Sequence, residues 1–361
     1  MNRVFNLKRL QLCALLLGAQ TALGAPVVTG ITGSVGQGAA ITINGSGFGV
    51  NPAPVPIYYS DFDAYPAGTS ALNAGLTALN GTIPNEPYVD NTRALSGSQA
   101  LRIDYPVGQN GYFPEVGIGG LNVTQVYVSA WIYWQLTAGP GTEVPIFKLV
   151  RAEAGQAYHG YPGFYDTVFP NASGVISGVD EGSISSTDVV TYDDATNAEP
   201  NSGGWHRISY FYKLSTPGVA NGVFQNWVDG VADANITDTM SLAPGSTATI
   251  NNVISPFDGI SNLGGNNAYS LWVDDFYVSA TEARVELGDA ATLSACKSRY
   301  IQPTTTWSDG TITATVETNT FAPGTKVYVY VFDANGNVNN DGYPVTISGV
   351  VPNAPLFDGV H

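Results

Sequence analysis

Cations, cysteines and long apolar runs are all scarce in this chain, and each scarcity excludes something. Only 13 lysines and arginines stand against 29 aspartates and glutamates in 361 residues, a formal charge of −16. A basic stripe for nucleic acid is absent, and the overall field repels anionic lipid. Nucleic acid and membrane surfaces are therefore not expected partners. Calcium and neutral glycans suit such a surface, whereas an anionic polysaccharide would need a local basic site. There are two cysteines, Cys13 and Cys296. Cys13 follows Leu12 in the N-terminal apolar run, a poor match to a lipoprotein cleavage motif. Once that run is removed only Cys296 remains, so no intramolecular disulfide can form despite an oxidising destination. A chain of this length buries adequate cores without one, and Cys296 is expected as a small buried apolar residue. The only sustained apolar run, Leu10–Ala19, is too short to span a bilayer. Helical signals are confined to Thr69–Ala78, which lacks a strong apolar stripe and predicts a turn or two at most.

What is present begins with a targeting segment. Arg3, Lys8 and Arg9 precede the apolar run, and Ala22-Leu23-Gly24 offers a small-residue cleavage site before Ala25. The chain is expected to be secreted by a bacterium, with residues 1–24 removed. That removal takes three cations with it and moves the formal charge from −16 to about −19.

The chain is organised around Gly204–Gly230, GWHRISYFYKLSTPGVANGVFQNWVDG. Period-two alternation predicts two strands, Trp205–Leu214 and Gly222–Asp229. It places Trp205, Arg207, Ser209 and Phe211 on one face and His206, Ile208, Tyr210 and Tyr212 on the other. Asp229-Gly230 is a turn signal. Further strands are expected at Ile57–Tyr65, Ala100–Tyr105, Val126–Trp134, Pro145–Arg151, Val175–Ser177, Val189–Tyr192 and Leu271–Val278. Gly, Pro, Asn and Asp punctuate them, which reads as an all-β sandwich. The central pattern resembles the concanavalin A-like jelly roll of legume lectins, laminin G modules and several polysaccharide lyases. That resemblance implies a fold more strongly than an activity, since such sandwiches host lectins, lyases, hydrolases and spacers alike.

The two ends of the chain resemble halves of one IPT/TIG domain, an immunoglobulin-like sandwich. VVTGITGSVGQGAAITINGSGFGV matches its opening, and TTTWSDGTITATVETNTFAPGTKVYVYVFDANGNVNNDGYPVTI its second half. Neither half can close a sandwich alone. The economical layout is a discontinuous domain, 25–58 plus 281–348, with the jelly roll (59–280) inserted and 349–361 as a tail. The rival layout keeps a small N-terminal strand pair and separate jelly-roll and C-terminal domains.

Three constellations could carry chemistry. Asp61 and Asp63 near the first jelly-roll strand would meet Asp274 and Asp275 near the last if those strands pair, and such carboxylates suit calcium. Jelly rolls resembling this one often hold a structural calcium between a DxFE-like start and an IDDF-like last strand. Here Asp63 stands where that pattern usually has Glu. The competing reading leaves one Asp of each pair in solvent and the other capping a turn. Asp333-Ala-Asn335-Gly-Asn337 echoes an EF-hand loop, but Pro344 occupies the twelfth position, so a hairpin turn is expected.

Second, Trp131, Tyr133, Tyr158, Tyr161, Tyr165, Tyr210 and Tyr212 could supply platforms for pyranose rings, with core packing as the competing role. Trp134, Trp205 and Trp227 are expected in the core. Third, β-elimination on a uronate needs a group neutralising the carboxylate, a base and an acid. Lys148 and Arg151 lie on opposite faces of one strand, and the following AYHGYPGFYD offers His159, Tyr158, Tyr161 and Tyr165. Arg151, His159 and Tyr161 are the catalytic candidates if the protein is a lyase; an ordinary loop is the competing reading. His206 reads as a satisfied strand residue. No pair of carboxylates has the spacing a retaining glycosidase requires, and no nucleophile elbow, phosphate loop or zinc-ligand set is present. The expectation is an extracellular carbohydrate-binding or adhesion protein, with a polysaccharide lyase as the alternative.

Overall fold

The computed structural model describes residues 24–79, 86–107, 116–138, 146–154, 163–168, 176–181, 192–193, 204–254, 259–261 and 268–349. Among them the chain is almost wholly antiparallel strand, as the punctuated alternation requires. Helix is limited to two single turns, Ala71–Ala74 and Leu293–Ala295. The first is what remains of the helix expected over 69–78. Ser70 Oγ accepts from the Asn73 N–H at 3.4 Å, and Gly75 ends the turn at a φ of 87°.

Two large sheets face one another. The back sheet runs Tyr88–Asp90, Ala100–Tyr105, Ala268–Ser279, Gln125–Ala138, His206–Lys213, Gly222–Val228, Val231–Thr239. The expected first and last strands do pair: Tyr58–Ser60 lies along Phe276 to Val278. The front sheet runs Thr77–Ala78, Val116–Val123, Ile250–Ile254, Ile146–Ala154, Gly163–Val168, Ile176–Glu181, Tyr192–Asp193, with Gly259–Ser261 also against Ile146–Ala154. Between the sheets lies one apolar core, in which Val116, Ile250 and Val253 of the front meet Ile103, Val128, Ile132, Ile208, Phe224 and Leu271 of the back. This is the all-β sandwich that the alternation implied, in the jelly-roll form that the resemblance implied.

A smaller sandwich forms beside it. One four-stranded sheet runs Val27–Thr32, Ala40–Ser46, Thr311–Thr315, Thr304–Trp307; the other runs Arg299–Gln302, Arg284–Gly288, Lys326–Phe332, Tyr343–Thr346. Ala40 to Asn44 pair with Thr315 to Thr311, so strands from both chain ends share a sheet. Ile41, Ile43, Phe48, Ile312, Val327 and Val329 pack in its core.

The alternation in His206–Lys213 is seen in the structure, with one addition that periodicity does not reveal. Ile208, Tyr210 and Tyr212 enter the main core. The opposite face, Arg207, Ser209 and Phe211, is buried too, because the small sandwich covers it. Phe211 packs there with Tyr59, Tyr127, Tyr277 and Ile301. Ala268–Ser279 is buried along both faces too: Tyr277 packs with Ile301 of the small sandwich, and Trp272 is covered by Tyr133, Trp205, Arg93 and Asp90. Cys296, expected to be buried, is half-buried in a loop of the small sandwich.

Candidate functional site

Two basic candidates and one phenolic candidate lie on neighbouring strands of the front sheet. Lys148 and Arg151 lie on Ile146–Ala154 and Tyr165 on the neighbouring Gly163–Val168. The register pairs Tyr165 with Arg151 and Thr167 with Lys148, three steps against two, so a bulge offsets the alternation that would separate Lys148 from Arg151. On the other side Ile254 is the partner of Arg151 and Gly259 that of Lys148. Tyr158, His159 and Tyr161 lie outside the described residues.

The back-sheet aromatics are not a sugar platform. Tyr210 and Tyr212 are 4% and 0% exposed and sit in the main core, so neither has a face to offer a ring. Trp131 belongs to the core of the small sandwich, its ring 5.4 Å from that of Tyr300. Tyr133 is covered: the Arg93 guanidinium lies 3.7 Å from its ring centroid, and Trp205 and Trp272 stand edge-on to it. These four were expected to bind substrate and instead join layers, because both faces of the back sheet are used for packing at its centre. Trp134 is in the main core as expected, and Trp205 and Trp227 are partly buried against the packing clusters.

The four aspartates are gathered at one end of the pairing between Tyr58–Ser60 and Ala268–Ser279. Alternation would send one residue of Asp274-Asp275 to solvent. A bulge prevents it: Asp274 pairs with Trp131 but Tyr277 with Ser129, three steps against two. Asp275 takes a φ of 49° in the bulge, and both aspartates are buried. Asp274 Oδ2 accepts from the Leu95 N–H at 2.8 Å and its Oδ1 from the Asp275 N–H at 2.9 Å. Asp63 Oδ1 accepts from the N–H groups of Ser98 and Gln99 at 2.8 and 2.9 Å. Asp275 accepts from the Tyr59 hydroxyl at 3.1 Å and from Asn319 Nδ2. These commitments leave no group of three or more His, Cys, Asp or Glu arranged to hold a metal among the described residues.

The electrostatics of this corner are those of acids crowded together. Burial, then Asp63, raises Asp61 to about 6. Burial, then Asp61, raises Asp275 to about 7, with the Tyr59 hydroxyl and then Arg207 drawing it partly back. Burial, then Asp275, pushes Asp274 well above the ordinary range. A fifth acid joins from the small sandwich: Glu317, raised to about 8 by burial and then by Asp61. Sequence reading missed Glu317, since TVETN carries no signal that its carboxylate meets residues more than 200 positions away.

Also missed is the charge cluster joining the two sandwiches. Arg207 of the back sheet donates to Glu286 Oε1 at 2.9 Å, Arg284 Nε donates to the same oxygen at 2.7 Å, and Arg299 Nη1 lies 3.1 Å from Oε2. Burial alone would raise the Glu286 carboxyl; Arg207, Arg299 and Arg284 hold it well below the usual range. The signal was an arginine on a strand face with Trp205 and Phe211, which calls for a buried partner. His206 is satisfied as expected, its Nδ1 2.7 Å from Asp229 Oδ2. Asp333 accepts from the Asn335 and Asn337 N–H groups, so that stretch is a hairpin turn and not a calcium loop.

No family model matches the chain, and no curated protein matches it. Among solved structures it is similar to alginate lyase Aly36B (11% identity, TM-score 0.48, covering 62% of this chain and 97% of that one). It is also similar to an endo-β-1,4-glucuronan lyase from the fungus Trichoderma reesei (14%, TM-score 0.41, covering 62% and 95%). A marine alginate lyase from Aplysia kurodai follows (15%, TM-score 0.37, covering 53% and 86%). The likeness is one of fold and lends this chain no activity. Among the described residues no helix is long and apolar enough to cross a membrane.

Proposed function

We propose that this protein is a secreted carbohydrate-binding or adhesion protein. Its jelly roll meets an extracellular glycan on the front sheet and is displayed on a discontinuous immunoglobulin-like, IPT/TIG-like base formed by 25–58 and 281–348. The observation that carries the reading is the division of labour between the sheets. The centre of the back sheet is buried on both faces, while the front sheet holds Lys148, Arg151 and Tyr165 on paired strands. Two cations in a strongly acidic chain are the local basic site that an anionic glycan would need.

The pairing of Arg151 with Tyr165 also favours a second reading, a lyase acting on a uronate-containing glycan. Arg151 would neutralise the uronate carboxylate, and His159 and Tyr161 would handle the protons. Incubation with alginate, glucuronan, pectin and glycosaminoglycans separates the two. Binding predicts retardation in affinity gels with no rise in absorbance near 235 nm, and Lys148→Ala/Arg151→Ala should abolish the retardation. A rise at 235 nm that His159→Ala removes would establish the lyase. No retardation and no absorbance change across the panel would sink both.

Calcium is part of the proposal because this corner crowds Asp61, Asp275 and Glu317 into mutual repulsion, although no three acids among the described residues stand arranged to hold a metal. A divalent cation there would relieve it, with Asp63 and Asp274 available only by releasing backbone amides. Millimolar calcium is expected to raise the melting temperature by several degrees over EDTA. An unchanged melting curve would remove calcium from the account.

A further inference from the structure

Between the back sheet and the small sandwich lies a cavity of about 210 Å³ that neither the glycan reading nor the core accounts for. Three arginines converge on it, Arg207, Arg284 and Arg299, against two carboxylates, Glu282 and Glu286. One cation is thus in excess, in a chain whose formal charge is −16. Glu286 Oε1 is taken by Arg207 and Arg284, while its Oε2 has only the ion pair with Arg299 Nη1 at 3.1 Å and accepts no hydrogen bond. Arg207 is committed at all three nitrogens, donating to Ser129 Oγ, Tyr127 Oη, the Arg299 carbonyl and Glu286. The other two are not: Arg284 Nη2 and Arg299 Nη2 have no acceptor among the described residues. The Arg284 guanidinium is fixed between two rings, 4.2 Å from Tyr127 and 3.7 Å from Phe332.

The mouth is shaped by two turn tips. A Cβ on Gly230 would lie 2.1 Å from Arg299 Nη2, and one on Gly336 would lie 2.6 Å from Glu282 Oε1, so both glycines keep room for those side chains. Both have positive φ, as the Asp229-Gly230 and Asn335-Gly336 turns require. Trp227 and Leu293 supply apolar wall. At about 30 Å³ per water the volume holds roughly seven waters, or one six-membered ring with a small substituent. Free planar donors beside an aromatic wall match a carboxylate carried on such a ring.

We propose that this cavity between the sandwiches is a binding site for a carboxylate-bearing ring the size of one sugar, a uronic acid. Arg284 and Arg299 take the carboxylate and Trp227 lies against the ring. The proposal is independent of the front-sheet reading, since it uses none of the same residues.

The test is calorimetric titration of the full chain with sodium glucuronate, glucose and inorganic phosphate. Saturable binding of glucuronate is expected, at least tenfold tighter than glucose or phosphate. Arg299→Gln, which leaves Arg207–Glu286–Arg284 intact, should weaken glucuronate at least tenfold. Leu293→Trp, which narrows the mouth and removes no charge, should do the same and decides the matter if Arg299→Gln is unstable. Lys148→Ala/Arg151→Ala should leave glucuronate binding unchanged even where it abolishes polymer binding. Glucuronate no tighter than glucose, phosphate equal to glucuronate, or full affinity in Leu293→Trp would each overturn the proposal.

Discussion

Glu286→Gln is expected to lower the melting temperature by on the order of 10 °C. Glu286 is fully buried and balances three guanidiniums, two of them, Arg207 and Arg284, themselves buried. Guanidinium cannot escape by losing its proton, so removing the carboxylate charge strands cations in a low-dielectric site. Breaking a buried pair in this way costs about 3–5 kcal/mol, and about 2–4 °C is lost per kcal/mol in a chain of this size. Because Arg207 belongs to the large sandwich and Glu286 to the small one, the loss falls on their junction. Calorimetry should therefore show unfolding that is broader than that of the unmodified protein or split further into separate transitions. Arg299, the most exposed of the three, should matter less, and Arg299→Gln is expected to shift the midpoint by a few degrees only. A Glu286→Gln midpoint within about 3 °C of wild type would mean that apolar contacts alone hold the sandwiches together.

In EDTA the protein is expected to be more stable at pH 5 than at pH 8, opposite to the usual behaviour of a chain rich in paired carboxylates. The relevant groups are Asp61, Asp275 and Glu317, held at about 6, 7 and 8 against ordinary values of 3.8, 3.8 and 4.5. Below about pH 3 they are protonated in both folded and unfolded chains and contribute almost no difference. As the pH rises, the unfolded chain releases these protons first while the folded chain retains them. The folded state then binds more protons, so stability falls with pH until the folded values are passed. Raising Glu317 from the ordinary range to about 8 corresponds to on the order of 4 kcal/mol at the alkaline end, shared with its neighbours. Glu317→Gln keeps a group that can accept from Gln37 and removes the charge. It should raise the pH 8 midpoint by several degrees and leave the pH 5 midpoint almost unchanged. A wild-type midpoint that climbs from pH 5 to pH 8 in EDTA would show that the corner is not strained by repulsion. Calcium, if it binds there, should cancel the fall.

Much of the sandwich was legible because strand formation is local. Ala100–Tyr105 is a strand over the expected residues, and the central pair differs from expectation by a residue or so at its ends. Val116–Val123, VGIGGLNV, and Val231–Thr239, VADANITDT, were missed. Glycine in the one and short polar residues in the other hide a period-two signal that the neighbouring strands enforce. The candidate site was less legible. Arg151 and Tyr165 could be named as a basic and a phenolic residue, but their pairing follows from a register set by the whole sheet. Tyr210 and Trp131 are equally aromatic on paper, and packing alone decided that neither is a platform.

By itself, then, the sequence determined the all-β character, the central hairpin, the sides on which Arg207 and Tyr210 fall, and the turns at Asp229-Gly230 and Asp333 to Asn337. Those depend on backbone preferences and side-chain alternation over a few residues. Only the tertiary structure decided that both sides of the back sheet are covered, that Asp274 and Asp275 are both buried, and that Arg207 meets Glu286 79 positions away. Whether a buried charge is neutralised or repelled depends on partners within a few ångströms. Chain topology, not sequence separation, brings those partners together.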